Sequence, residues 1–115
     1  MKTIAQNVKI HLFDKDWICS LHVGLYADSS HRPAIQLTHL AEEGREEPFA
    51  TATTNKPDYI YGSPDHHTIA KVYSENEGLW EQLLELSDEH GKFFRVAPMK
   101  VTVGGTTCPV VELLN

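Results

Sequence analysis

Residues 17–27 read WICSLHVGLYA, and apolar side chains recur there at every second position. On one side of an extended chain lie Trp17, Cys19, Leu21, Val23 and Leu25. A period of two is typical of a β-strand with one buried face. We therefore predict a strand here whose odd-numbered side chains face the core, and whose His22 points away from it.

Similar patterns occur along the rest of the chain. The other predicted strands are residues 7–13, 34–40, 49–54, 67–73, 93–103 and 110–114. Strands and helices do not alternate as in a parallel sheet, so the order predicts the α+β class. We expect one domain over residues 1–115, with a curved antiparallel β-sheet and one main α-helix, about residues 75–90, packed on one face.

Several details of the sheet follow from single residues. His39 would face the core with Ile35 and Leu37, so His22 and His39 should lie on opposite faces. Pro98 predicts an edge position or a bend within 93–103.

Three loops and one edge are also predicted. Residues 41–48 (AEEGREEP) predict a polar loop that turns at Gly44 and stops at Pro48. Residues 55–67 predict a long loop, and residues 104–109 (GGTTCP) a turn. The closing strand VVELL (110–114) could form a homodimer by edge pairing.

The helix has a sequence signature for its start. Ser74 and Glu77 have the spacing of a capping box, in which each side chain bonds the backbone N–H of the other residue. We therefore expect Ser74 to be the N-cap and Gly91 to end the helix. At Gly78 alanine would favour a helix, so we expect close approach of another backbone or a ligand.

One face of the predicted helix is acidic. Its residues are Glu77, Glu81, Glu85, Asp88 and Glu89. Residues 74–90 contain no Lys or Arg, and residues 42–90 carry twelve acids and three bases in a chain of net charge −6. Either this face only keeps the protein in solution, or it binds a partner with a basic surface. Direct nucleic-acid binding is not expected, because the charge has the wrong sign.

The long loop at 55–67 is a second candidate site. Tyrosine is favoured at interfaces, so the predicted ligand or interface residues are Asn55, Asp58, Tyr59, Tyr61, Asn76 and Gly78, with Glu77 at the helix start. The alternative is that one tyrosine packs on the sheet and the other is half exposed.

Catalytic and metal motifs are absent from the sequence. The seven histidines have no spacing typical of a metal site, and the weak candidates are Asp65, His66 and His67. Cys19 and Cys108 are expected to be free thiols. We expect a non-enzymatic protein without cofactors, since no catalytic constellation can be assembled.

Location follows from hydropathy. Lys2 is not followed by an unbroken apolar segment, so we expect no signal peptide. No apolar run has the length of a membrane span. We expect a cytoplasmic protein that does not bind membranes.

Two blocks resemble a known family. PFATATTNKPD (48–58) and YSENEGLWEQL (73–83) resemble a small family of unknown function from bacterial plasmids, phages and conjugative elements. CPVVELL (108–114) resembles its closing strand, and the likeness covers residues 34–115. The longer loop at 59–67 departs from the family pattern.

The resemblance implies an accessory protein of a mobile element. By analogy, such a protein could inhibit a host defence enzyme that handles nucleic acid, as anti-restriction and anti-CRISPR proteins do by mimicking DNA. Two alternatives stay open: a small-molecule or peptide-binding module at the 55–67 loop and helix start, and a metal-dependent enzyme at residues 65–67.

Overall fold

The computed structural model describes residues 2–27, 31–56, 61–71 and 78–114. Its elements, in chain order, are β1 Lys2–Leu12, β2 Lys15–Leu25, β3 Pro33–Leu40, β4 Glu46–Thr51, β5 Thr53–Thr54, β6 His67–Ala70, α1 Leu79–Glu89, β7 Phe94–Val103 and β8 Thr106–Leu113. No helix in these ranges has both the length and the apolarity that crossing a membrane requires.

The strands form two four-stranded antiparallel sheets, in the orders β1-β2-β3-β4 and β5-β6-β8-β7. The α+β class is confirmed, but the prediction of one sheet is wrong because Ala52 divides the predicted strand 49–54. The Ala52 N–H donates to the Ile35 carbonyl at 2.8 Å, and its carbonyl accepts from the Lys71 N–H at 2.9 Å. The predicted curvature of the sheet stays a prediction.

The register of β2 confirms the predicted alternation of faces, but the prediction that Leu25 faces the core is wrong, because this residue at the strand end is 65% exposed. Cys19 pairs with His39, while His22 pairs with Gln36. Because side chains alternate along a strand, His22 and His39 lie on opposite faces. His22 is nevertheless buried, and its two ring nitrogens lie 3.0 Å and 2.8 Å from the hydroxyls of Thr3 and Thr38.

Strand β8 is central in the second sheet. It pairs with β6 on one side and with β7 on the other. The prediction that the closing strand offers an edge for a homodimer is therefore wrong. The predicted turn at 104–109 is also shorter, because β8 begins at Thr106. Pro98 lies in the outer strand β7, inside the register shift between Val96 and Lys100, as predicted for an edge or a bend.

The predicted loop at 41–48 is shorter than expected. It turns at Gly44, whose φ is 80°. Strand β4 already begins at Glu46, so Pro48 lies within a strand and does not end the loop. Proline is tolerated there because β4 is the outer strand of the first sheet.

The helix begins later than predicted. Its N-cap is Gly78, with no side-chain hydrogen bond at the cap, so the prediction of Ser74 as N-cap is wrong for this helix. Residues 72–77, with the rest of the predicted capping box, lie outside the described residues. Gly78 has φ 88°, and an added Cβ would meet nothing within 4 Å. The left-handed backbone therefore requires glycine here. The predicted close approach of another backbone is wrong for the described residues, and that of a ligand stays a prediction.

The end of the helix is as predicted. Gly91 follows the C-cap His90 and has φ 105°. The Lys92 N–H donates to the Ser87 carbonyl at 2.6 Å. This bond joins the residues that a Schellman motif joins, and the His90 ring adds a side-chain bond to the Leu86 carbonyl at 2.8 Å.

Helix α1 contacts the outer strands of both sheets, β1 and β7. Gln82 donates to the His11 carbonyl at 2.9 Å and accepts from the His11 N–H at 2.8 Å. At the other end, the Ser87 hydroxyl donates to the Phe94 carbonyl and accepts from the Phe94 N–H. The main core lies beneath the helix and includes Ile10, Leu21, Ile35, Leu37, Ala70, Leu79, Leu83, Phe94 and Val111.

We expect Gly78→Ala to lower the free energy of unfolding by about 1 kcal/mol, because alanine is strained in the left-handed conformation. Urea unfolding followed by circular dichroism measures the change. Glu85→Ala is the control, because this exposed position inside α1 accepts alanine readily. A gain in stability for Gly78→Ala would contradict the assigned backbone conformation.

Candidate functional site

The described part of the acidic helix face consists of Glu81, Glu85, Asp88 and Glu89. All four side chains are exposed. None of them takes part in an ion pair with a described residue. Glu77, the fifth predicted member, lies outside the described residues. The helix therefore presents a row of carboxylates whose charge no described base neutralises by direct contact.

The opposite side of the helix explains this orientation. Leu79, Leu83 and Ser87 are buried, as the 3.6-residue period requires of one face. Ser87 is the member that sequence reasoning missed, since a serine inside a helix carries no signal of burial. Its two hydrogen bonds to Phe94 fix how the helix is rotated against β7 and hence where the carboxylates point.

A shallow groove borders the acidic row beside β1. It has a volume of about 240 Å³ and is lined by Lys9, Gln82, Glu85, Leu86 and Glu89. Lys9 is the one base among these lining residues, and it lies beyond ion-pair distance of every described carboxylate. The groove therefore leaves the charge of Glu85 and Glu89 open to a partner.

Tyr61, a predicted ligand residue, is built into the fold. It is 6% exposed, and the Arg32 guanidinium lies 3.8 Å from the centre of its ring. Arg32 is itself buried and donates to the His67 carbonyl at 3.0 Å. These contacts favour the interpretation that this tyrosine packs on the sheet. Asn55 is half-buried, and Asp58, Tyr59 and Asn76 lie outside the described residues.

Arg32 is the residue of this region that sequence reasoning missed. A single arginine at the end of a loop carries no local signal, since its partners lie about 30 residues further along the chain. Its stacking on Tyr61 and its bond to His67 hold residues 61–67 against the start of β3, in the first sheet.

His67 is also engaged within the fold. Its Nδ1 accepts from the Ser63 N–H at 2.9 Å, so in the neutral ring Nε2 carries the proton. That nitrogen lies 3.7 Å from a Glu112 carboxylate oxygen. A Cβ on Gly62 would lie 2.6 Å from the His67 ring, so glycine is required for this packing.

The other weak metal candidates, Asp65 and His66, have exposed side chains. Within the described ranges no three His, Cys, Asp or Glu side chains come close enough together to hold a metal ion. The third candidate, His67, is held by its contacts with Ser63 in the loop and with Glu112 in β8 of the second sheet.

Both cysteines are buried free thiols. Burial raises the pKa of Cys19 to about 11 and also raises the pKa of Cys108. At neutral pH both groups are therefore protonated, and a protonated thiol is a poor nucleophile. Neither cysteine lies in a setting that activates a catalytic thiol.

No family model, curated protein or solved structure matches this chain. The resemblance to the mobile-element family therefore stays an expectation from the sequence.

We expect both thiols to resist Ellman's reagent at pH 8 in the native protein and to react fully in guanidinium, because the thiolate forms only after unfolding. The raised pKa of Cys19 also makes the fold less stable between about pH 9 and pH 11, because the unfolded chain loses its proton first. Absorbance at 412 nm counts the reactive groups. One fast thiol in the native protein would contradict this burial.

Proposed function

We propose that this is a non-enzymatic binding protein whose acidic helix face, Glu81, Glu85, Asp88 and Glu89, binds a basic surface on a partner protein. The observation that carries the proposal is the exposure of all four carboxylates without a neutralising contact from any described residue. Opposite potentials on two surfaces accelerate association and select the partner.

Local stability does not account for this row. Glu81–Glu85 and Glu85–Glu89 are like-charge pairs one helical turn apart, and each costs a few tenths of a kcal/mol. Asp88 and Glu89 lie at the negative end of the helix dipole, and the last turn contains no base. A helix selected for stability alone would carry lysines at some of these positions. A basic partner removes this repulsion when it binds.

The acidic face also predicts a salt dependence. The carboxylates are exposed, so ions in solution screen them over roughly 8 Å at physiological ionic strength. Binding through this face should therefore weaken as salt is added, chiefly through slower association.

The narrower form of the proposal concerns the partner. An enzyme that handles nucleic acid presents a basic groove, and a row of carboxylates on a rigid helix can occupy that groove in place of phosphates. Inhibition of a host defence enzyme, of the anti-restriction or anti-CRISPR type, is the form that the family resemblance favours. A protein of a phage or plasmid would then act as a DNA mimic in the cytoplasm.

We expect the double reversal Glu81→Lys and Glu85→Lys to reduce partner capture at least tenfold, since four units of charge change on one face. Affinity purification from the source cells, with quantitative mass spectrometry, measures the capture. Thermal melting confirms that the variant folds.

A matched pair of single variants separates position from net charge. Glu81→Lys and Asp65→Lys change the net charge equally, and both side chains are exposed. Only Glu81→Lys should weaken capture. Equal capture by the parent and the double reversal would mean that the acidic face serves only solubility.

A further inference from the structure

An aromatic side chain occupies a costly position in the β1–β2 turn. Phe13 and Asp14 connect the paired residues Leu12 and Lys15, and their φ angles are 55° and 59°. Two central residues with positive φ are the pattern of a type I′ turn, which favours Asn-Gly. Phenylalanine is strained in this conformation, and Phe13 is still 50% exposed. Backbone strain held at an exposed aromatic residue is a reason to look for function.

Phe13 is the outermost member of an aromatic patch, defined as Phe13, Trp17, His39 and Phe49. The Phe13 and Phe49 ring centres are 6.3 Å apart, and those of Trp17 and Phe49 are 4.9 Å apart. His39 packs edge-on against both Trp17 and Phe49. The Trp17 indole N–H donates to the Leu12 carbonyl at 2.8 Å, so its orientation is fixed. The patch is therefore a preformed surface of oriented rings.

A groove of about 460 Å³ adjoins this patch, lined by residues 36–38 and 48–51. This volume is within the range of small-ligand and side-chain pockets. Phe49 belongs to both surfaces. It is the extra residue in β4, between the pairs Leu37–Ala50 and Thr38–Pro48. This bulge interrupts the ladder between β3 and β4 where the groove lies.

The outer edge of β4 is poorly suited to accept a strand from another chain. Pro48 has no N–H to donate, and the bulge at Phe49 interrupts the regular spacing. A partner at this end of the sheet would therefore be held by side chains.

The charge around the patch is acidic. On the side of the patch, the two neighbouring turns and β4 carry Asp14, Glu42, Glu43 and Glu47 against Lys15 and Arg45. Asp16 and Glu46 lie on the opposite face of the sheet, where they bond His11 and Ser20. Arg45 is neutralised by Glu43 at 2.9 Å and Glu47 at 3.6 Å. The Lys15 ammonium lies over the Trp17 ring. The rim therefore keeps an excess of two negative charges beside an apolar groove.

We infer that the aromatic patch and its groove bind a basic peptide segment of the partner that carries one apolar anchor residue. The anchor enters the groove against Phe49, and flanking arginines or lysines meet the carboxylates of the rim. This inference rests on the proposed function in one respect, because both surfaces address the same basic partner.

The two surfaces are joined through β1. The Gln82 side chain of the helix bonds both backbone groups of His11, and the His11 ring lies 2.9 Å from Asp16. Strand β1 thus connects the acidic helix face to the turn that carries Phe13.

The test uses two synthetic pentapeptides and nitrogen-15-labelled protein. One peptide has leucine flanked by two arginines on each side, and the other has serine in place of leucine. Chemical shifts are followed by NMR during titration. We expect the leucine peptide to bind at least fivefold more tightly and to shift the Trp17 indole N–H and the amides of residues 36–38 and 49–51. Equal affinity for the two peptides, or no shifts at these positions, would overturn the inference.

Phe13→Asn is the decisive variant, because asparagine tolerates positive φ and removes the exposed ring. We expect its melting temperature to stay within about 5 °C of the parent, while the preference for leucine falls to less than twofold. Leu25→Asn is the control, since Leu25 is 65% exposed and lies outside the patch, at the far end of β2. An unchanged preference in Phe13→Asn would overturn the inference.

The double reversal of Glu81 and Glu85 separates this inference from the proposed function. It should weaken both peptides by a similar factor through long-range charge and leave the ratio of their affinities unchanged. If the reversal leaves both affinities unchanged while leucine is still preferred, the groove stands and the helix face loses support. If it abolishes the leucine preference itself, the anchor does not bind in the groove.

Discussion

One helix covers a core that two sheets share, and the position of the other elements depends on how that helix is attached. Leu79 and Leu83 fill the core from above, but apolar packing alone would allow the helix to rotate or slide. The bonds of Gln82 to β1 and of Ser87 to β7 remove that freedom, because each satisfies both backbone groups of one strand residue. The helix therefore sets the distance between the outer strands of the two sheets.

The same attachment determines which surface is free to act. Once the apolar face and the two polar side chains are directed inward, the acidic residues can only face solvent. The row of carboxylates is thus a consequence of the packing, whereas its lack of neutralising bases is a property of the sequence itself. The aromatic patch at the turn between β1 and β2 does not follow from packing in this way. Phe13 is exposed there, and its positive φ is a conformation that disfavours phenylalanine.

Much of the local structure could be predicted from the sequence. The periods of two in residues 17–27 and 34–40 placed His22 and His39 on opposite faces, and Gly91 marked the end of the helix, since these features depend on neighbours within a few residues. The division at Ala52 and the two-sided pairing of β8 could not be predicted, because they depend on which strands meet across the chain. The positive φ of Gly78 was missed for a related reason: a glycine indicates either a close approach or a positive φ, and spacing alone does not separate the two.

The candidate site was predicted in part. The acidic arc followed from helical periodicity, and its exposed members lie where that period puts them. The role of Tyr61 depended on Arg32, which is 29 residues away, and no pattern along the chain connects them. The groove beside Phe49 lies at a bulge, which is a property of two paired strands and has no signature in either strand alone.

The attachment of Gln82 has one further consequence, which concerns self-association. An outer strand exposes backbone groups that can recruit the same strand from another molecule, and repeated recruitment leads to fibrils. At His11 the glutamine amide occupies both of these groups, as a neighbouring strand would. The helix therefore also covers part of the edge of β1. A chain without the Gln82 side chain would expose the N–H and carbonyl of His11 to strand pairing with another molecule, even if its core remained intact.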